Sequence, residues 1–390
     1  MVFVLFIPAT AGAKEKGKKN TWRWHIESEL ASEYETNVFG LTTSGKGRVE
    51  TQSQTNIDNG RLKNMDSIDD FAVVPEVKVV ASRKTPLGRF SIEPTASYHQ
   101  YTMNPALSYP ELGVTLRQNL PGHSSVSLRA DGAIGVFKRN YFDDSVGTGV
   151  IDKADRIYRT GRYDDWDIRV EYERRLWKGS KKHRKKAKKT LIWPMELEGK
   201  LKSEYGQRRF RKHFSNRDSD TWNAKASLGA DMGRFVDLEL GYRFAMLFAR
   251  GDREAVLLDE PDLGIDLNGD FDSNDDNVRD DVKIDRSRNE HKIGMTMKVK
   301  PFDRVKSWVS YDFRLLDYES NEDMDLSHRG RRDQVHAVGA GVSWKFAKRW
   351  VASAETELAF RNTNRDASLL GDEDSEKQST LVRVSVGTRF

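Results

Sequence analysis

No cysteine occurs in the 390 residues, so disulfides and thiolate metal sites are excluded, and the chain can cross an oxidising compartment without mispairing. Nor is there an apolar run approaching the roughly 20 residues that a membrane-spanning helix needs, and the mean hydropathy is −0.72. The eight histidines, His25, His99, His123, His183, His213, His291, His328 and His336, keep no short metal spacing, and no nucleophile elbow occurs. No enzyme is expected. One architecture still crosses a bilayer with so polar a sequence: a closed barrel, in which only every second strand residue meets lipid and closure satisfies the backbone hydrogen bonds.

What the chain does have is a repeated unit of about ten alternating residues followed by a connection, long and short connections taking turns. The pattern predicts strands over 22–31, 71–81, 87–98, 110–118, 124–137, 165–177, 191–205, 221–232, 235–249, 289–300, 305–318, 334–346 and 350–360, with a last one closing the set after a loop over 362–379. The expected fold is therefore all-β, a transmembrane antiparallel up-and-down barrel of about 14 strands, with 12 or 16 following if one hairpin is split or merged. An even number puts both termini on one side, together with the short turns; the long loops then lie outside. Aromatic residues at strand ends, among them Trp24, Trp222, Trp344 and Trp350, fit the membrane interface. Pro75, Pro94 and Pro194 each lack a ladder donor and are expected at strand ends or bulges.

Ahead of the barrel at 22–390, residues 1–13 read as a secretory signal remnant, with an apolar core Val2 to Ile7 and a small-residue site Ala11-Gly-Ala13; residues 14–21 read as a basic periplasmic tail. At the other end Val382, Val384, Val386, Thr388 and Phe390 share one strand face, and Arg383, Ser385, Gly387 and Arg389 the other. This ending resembles the assembly signal of bacterial outer-membrane β-barrels. The resemblance implies outer-membrane location, insertion by the barrel-assembly machinery through Val382, Val384, Val386 and Phe390, and contact with outer-membrane lipid and lipopolysaccharide. Leu30-Ala-Ser-Glu-Tyr-Glu-Thr-Asn-Val-Phe39 is similar to the matching stretch of β-barrel porins encoded with exopolysaccharide biosynthesis. That similarity implies a role in exopolysaccharide export.

The polar faces of the predicted strands carry charge of both signs. Arg169, Glu171, Glu173, Arg175, Glu196, Glu198, Lys200, Lys202, Lys292, Lys298, Arg314, Glu355, Glu357, Arg383 and Arg389 are the expected pore-lining residues. Two clusters stand apart. The run Lys181–Lys189, on the periplasmic side by parity, is either a solvated turn or a contact for anionic polysaccharide or peptidoglycan, and nucleic acid is excluded behind a signal sequence. The outer stretch Asp266, Asn268, Asp270 and Asp272 alternates oxygen ligands as calcium loops do. Phe271 stands where an EF-hand needs glycine, however, and a bidentate glutamate is missing, so Ca2+ competes with a merely solvated loop. The function expected is a passive channel acting as a monomer; the alternative is a non-conducting barrel that displays its long loops for adhesion or complex assembly.

Overall fold

The computed structural model describes residues 21–36, 67, 69–142, 158–179, 194–211, 217–232, 235–249, 253–255, 281–283, 286–320, 329–364 and 376–389. In chain order the strands are β1 (Arg23–Glu35), β2 (Asp70–Thr85), β3 (Gly88–Tyr101), β4 (Tyr109–Leu120), β5 (Ser124–Phe142), β6 (Tyr158–Lys178), β7 (Glu196–Phe210), β8 (Ser219–Asp231), β9 (Val236–Ala249), β10 (Arg253–Ala255), β11 (Asp281–Lys283), β12 (Arg288–Phe302), β13 (Val305–Tyr318), β14 (Arg332–Trp344), β15 (Trp350–Thr363) and β16 (Glu376–Arg389). Fourteen of them close into a barrel, each strand paired with its chain neighbour and β1 with β16, while β10 and β11 form a separate two-stranded sheet. Closure is antiparallel, with Leu30 opposite Val386 and Glu27 opposite Arg389.

Alternation decides which way each side chain points. On β9 the series Val236, Leu238, Leu240, Tyr242 shares a face, and the register carries that face to Val299, Met297, Met295 and Ile293 of β12. On β16 Val382, Val384 and Val386 continue it beside Thr356, Ala354 and Ala352 of β15. These residues stand open to the surroundings, Leu240 at 57% and Val384 at 51%. Between them Asp237, Glu239, Arg243, Lys292 and Lys298 turn to the interior, where Lys298 pairs with Glu239, Arg243 with Glu290, Lys292 with Asp312 and Asp237 with Lys300. This is a tube with hydrocarbon outside and charge inside.

All the short turns lie at one end, with the start of β1 and the end of β16. That between β4 and β5 runs through Gly122 at φ 76° and His123 at φ 58°, left-handed conformations that permit a tight reversal. At the opposite end two buried acids tie down connections. Asp70, 1% exposed, accepts hydrogen bonds from the backbone N–H groups of Phe71 (2.7 Å), Met103 (3.0 Å) and Asn104 (2.8 Å) and from Asn104 Nδ2 (2.7 Å), which fixes the β3–β4 connection and its 3-10 turn Pro105–Leu107. Asp333, wholly buried, accepts from Arg331 Nε at 2.9 Å and from the Arg361 guanidinium.

The prolines correct the sequence reading. Pro75 sits inside β2 opposite Leu30 of β1, and Pro94 inside β3 opposite Val114 of β4, so neither is at a strand end or a bulge. The β2–β3 register is constant from Ala72 opposite Tyr101 to Thr85 opposite Gly88, yet pairing is missing at Val74 and Pro75 and again at Val79 and Val80, the latter beside Glu93 and Pro94. Each imino nitrogen faces the same seam. A ladder without a donor there loses its bond, and the neighbouring ladders stay whole. Pro194 precedes β7.

Candidate functional site

The charged inner wall is the one place where this fold gathers chemistry. Arg169, Glu171, Glu173 and Arg175 on β6 stand opposite Glu204, Lys202, Lys200 and Glu198 on β7. Glu204 collects Arg169, Lys202 (2.7 Å) and Asn223 Nδ2 (2.9 Å); Lys200 lies 3.7 Å from Glu173, and Arg175 bonds Glu196. Further round, Lys292 pairs with Asp312 at 2.9 Å and Lys298 with Glu239 at 3.7 Å. Arg383 bridges Glu29 and Glu33, both at 3.0 Å, and reaches Glu355 at 3.9 Å. Glu357 and Arg314 face inward on β15 and β13 by register, and Arg389 lies opposite Glu27. The predicted residues therefore ring the lumen on six strands and do not converge on one cluster.

Strand order gives this ring a polarity. The inner faces of β1–β4 carry Glu27, Glu29, Glu33, Glu35, Asp70, Glu76, Glu93 and Glu111 against Arg23, Lys78, Lys84, Arg89 and Arg117. Half a turn away, β8, β9, β12 and β13 carry Lys225, Arg243, Arg288, Lys292, Lys298, Lys300, Lys306 and Arg314 against Asp231, Asp237, Glu239, Glu290 and Asp312. An acidic wall faces a basic one. Fixed charges of opposite sign across a confined aqueous gap set up a transverse field that concentrates counter-ions beside each wall. On the acidic side a cavity of about 210 Å³ is lined by Glu76, His99, Glu111, Arg129, Asp131 and Arg383.

Sequence reading missed an aromatic residue on this wall. Trp308 is on the inward face of β13, opposite Lys298 on one side and Gly341 on the other. Its indole lies along β14: a Cβ on Gly341 would stand 2.4 Å from Trp308 Nε1, and one on Gly339 would stand 2.9 Å from its ring. The signal was available, because Trp308 shares the parity of Lys306 and Arg314.

Outside the wall, the apolar band is edged by rings at both ends. At the short-turn end Trp344, Phe346 and Trp350 stack in sequence, with centroids 5.6 and 6.3 Å apart. At the other, Tyr242 Oη bonds His291 Nδ1 and Tyr311 Oη bonds His336 Nδ1, both at 2.8 Å. An apolar belt between two aromatic girdles, wrapped round a charged interior, is what a bilayer requires of a barrel. The protein is a transmembrane antiparallel β-barrel. An epitope inserted at Gly371, in the β15–β16 connection, should be labelled on intact cells, whereas one at Gly122 should need permeabilised cells; the reverse pattern would overturn the orientation.

No protein-family model and no curated protein matches the chain. Among solved structures it is similar to the outer membrane channel DcaP of Acinetobacter baumannii, at 8% identity and TM-score 0.41 over 98% of this chain and 100% of that one. It is similar also to the toluene transporter TbuX of Ralstonia pickettii, at 10% identity and TM-score 0.42 over 94% and 89%. In-vitro folded OmpT, an outer membrane protein of Vibrio cholerae, gives 11% identity and TM-score 0.40 over 96% and 99%.

Several expected features lie outside the described residues: the signal remnant and basic tail up to residue 20, the Lys181–Lys189 run, the acidic stretch with Asp266, Asn268, Asp270 and Asp272, and Phe390. Among the described residues no group of three His, Asp or Glu side chains is placed to hold a metal ion.

Proposed function

We propose that this barrel is a passive channel for small charged or polar solutes. The observation that carries the reading is a closed 14-strand wall whose inner face carries charged residues of both signs. Strand spacing of about 4.8 Å and a tilt near 40° give a backbone radius of roughly 14 Å. Side chains reaching inward by about 6 Å from each side then leave a wet core roughly 15 Å wide, too wide for the wall's own side chains to seal. A role in exopolysaccharide export is the finer reading, supported by the stretch from Leu30 to Phe39. Contacts with lipopolysaccharide, insertion by the assembly machinery through the β16 face, and an anionic polymer or peptidoglycan at Lys181–Lys189 complete the proposal. No catalytic step forms part of it.

The test is conduction. Purified barrel in a planar bilayer is expected to give stable steps with modest ion selectivity, since both signs line the wall. Glu357 is exposed on the inner face of β15, so Glu357→Lys should move the reversal potential toward anions by a resolvable number of millivolts. A wild type that stays silent where a porin conducts would remove the channel reading and favour a barrel that displays its long connections.

A further inference from the structure

Trp308 is placed as a membrane girdle residue would be, but on the wrong side of the wall. The other described strand tryptophans take the lipid-facing register: Trp24 beside Ala81, Trp222 beside Met246, Trp344 beside Val305. Trp308 instead turns one ring face onto Gly339 and Gly341 and the other to the lumen. Among the described residues no aromatic ring or guanidinium stacks on it, and its N–H has no protein acceptor, whereas the inner carboxylates around it are taken up in pairs. Part of the indole is thus left uncovered, an apolar surface with a donor at its edge.

Lys306 lies two residues along the same face, about 7 Å away. It is exposed and makes no ion pair with a described carboxylate, although Lys292, Lys298 and Lys300 on the next strand all do. The glycines matter to this arrangement. Any side chain at Gly341 would meet the indole at 2.4–2.9 Å and push it off the wall, so the flat seat exists only because two consecutive inward positions lack a Cβ.

We infer that Trp308 and Lys306 form a subsite on the basic wall for a ring-bearing carboxylate, of which a sugar acid is the type. The ring's apolar face covers the free face of the indole, a ring hydroxyl accepts from Nε1–H, and the carboxylate meets the Lys306 ammonium. Stacking supplies ring selectivity and the ammonium supplies charge selectivity; neither partner needs to leave an existing ion pair. The inference rests on the channel reading for its purpose but not for its chemistry.

The test uses the full-length barrel, in planar bilayers and in detergent micelles, with glucuronate as probe. Glucose, a ring without charge, and acetate, a charge without a ring, serve as comparisons. Heat-modifiable migration first selects the variants that fold. Glucuronate should interrupt the wild-type current and bind in calorimetry, with glucose and acetate at least about tenfold weaker. Trp308→Ala should weaken glucuronate binding by at least about tenfold, as should Gly341→Val, which keeps the tryptophan but fills its seat, and Lys306→Gln, which touches neither ring nor glycine. Equal glucuronate binding in the wild type and all three variants, or acetate matching glucuronate, overturns the subsite. Variant-sensitive binding in micelles by a barrel that does not conduct would leave the subsite standing and remove the channel; conduction with no such binding would do the opposite.

Discussion

Replacing Val384 and Leu240 together with arginine is expected to keep the barrel out of the membrane. Both side chains stand on the outer face, 51% and 57% exposed, near the middle of β16 and β9. An arginine facing lipid at the midplane costs about 2–4 kcal/mol, and two sites on strands this far apart add. The combined cost, about 4–8 kcal/mol, takes most of the stability of an ordinary domain. The outer-membrane fraction should lose the heat-modifiable band, while Thr296→Arg, facing the lumen beside Glu239, should insert normally. Normal insertion of the double variant would mean that the two faces have been exchanged.

The second large effect is expected at the mouth. Asp333 is wholly buried and accepts from Arg331 Nε and the Arg361 guanidinium; Arg361 also donates to Tyr318 Oη at 2.8 Å, and the Arg331 guanidinium lies 5.0 Å from the Tyr318 ring centroid. Asp333→Ala removes the carboxylate and leaves two guanidiniums facing each other in a buried place. Breaking a buried pair by deleting one partner costs about 3–5 kcal/mol, so the denaturant midpoint of the folded barrel should drop sharply. Tyr318→Phe deletes the hydrogen bond from Arg361 and should cost about 0.5–1.5 kcal/mol. Equal, small losses in both variants would show that the cluster does not hold the β13–β14 connection.

The strand count and its parity were legible because lipid demands an apolar residue at every second position of a span, a demand that β9 obeys for its whole length and β16 from Val382 to Val386. Strand ends were not. β1 continues to Glu35, beyond the predicted Ala31, and β6 begins at Tyr158, before the predicted Asp165: past the lipid a strand needs no apolar face, so Ser32 and Glu33 carry no signal. The hairpin of β10 and β11 is three residues a side and has no pattern to read. Wall charges were visible as residue types, but their pairing depends on register and bulges. Arg175 bonds Glu196 although Glu198 is its cross-strand neighbour, because the ladder shifts between Arg175 and Trp177. Asp70 and Asp333 look like any acid beside a loop, and only the chain that folds over them makes them central.

The seam between β2 and β3 gives the wall a mechanical character. Other ladders are interrupted by shifts of register, as in β5–β6, β6–β7 and β12–β13; along this line two stretches in constant register are unlaced, each beside an imino nitrogen that cannot donate. Resistance to bending is therefore uneven around the circumference, and the cylinder has a crease running down its acidic side.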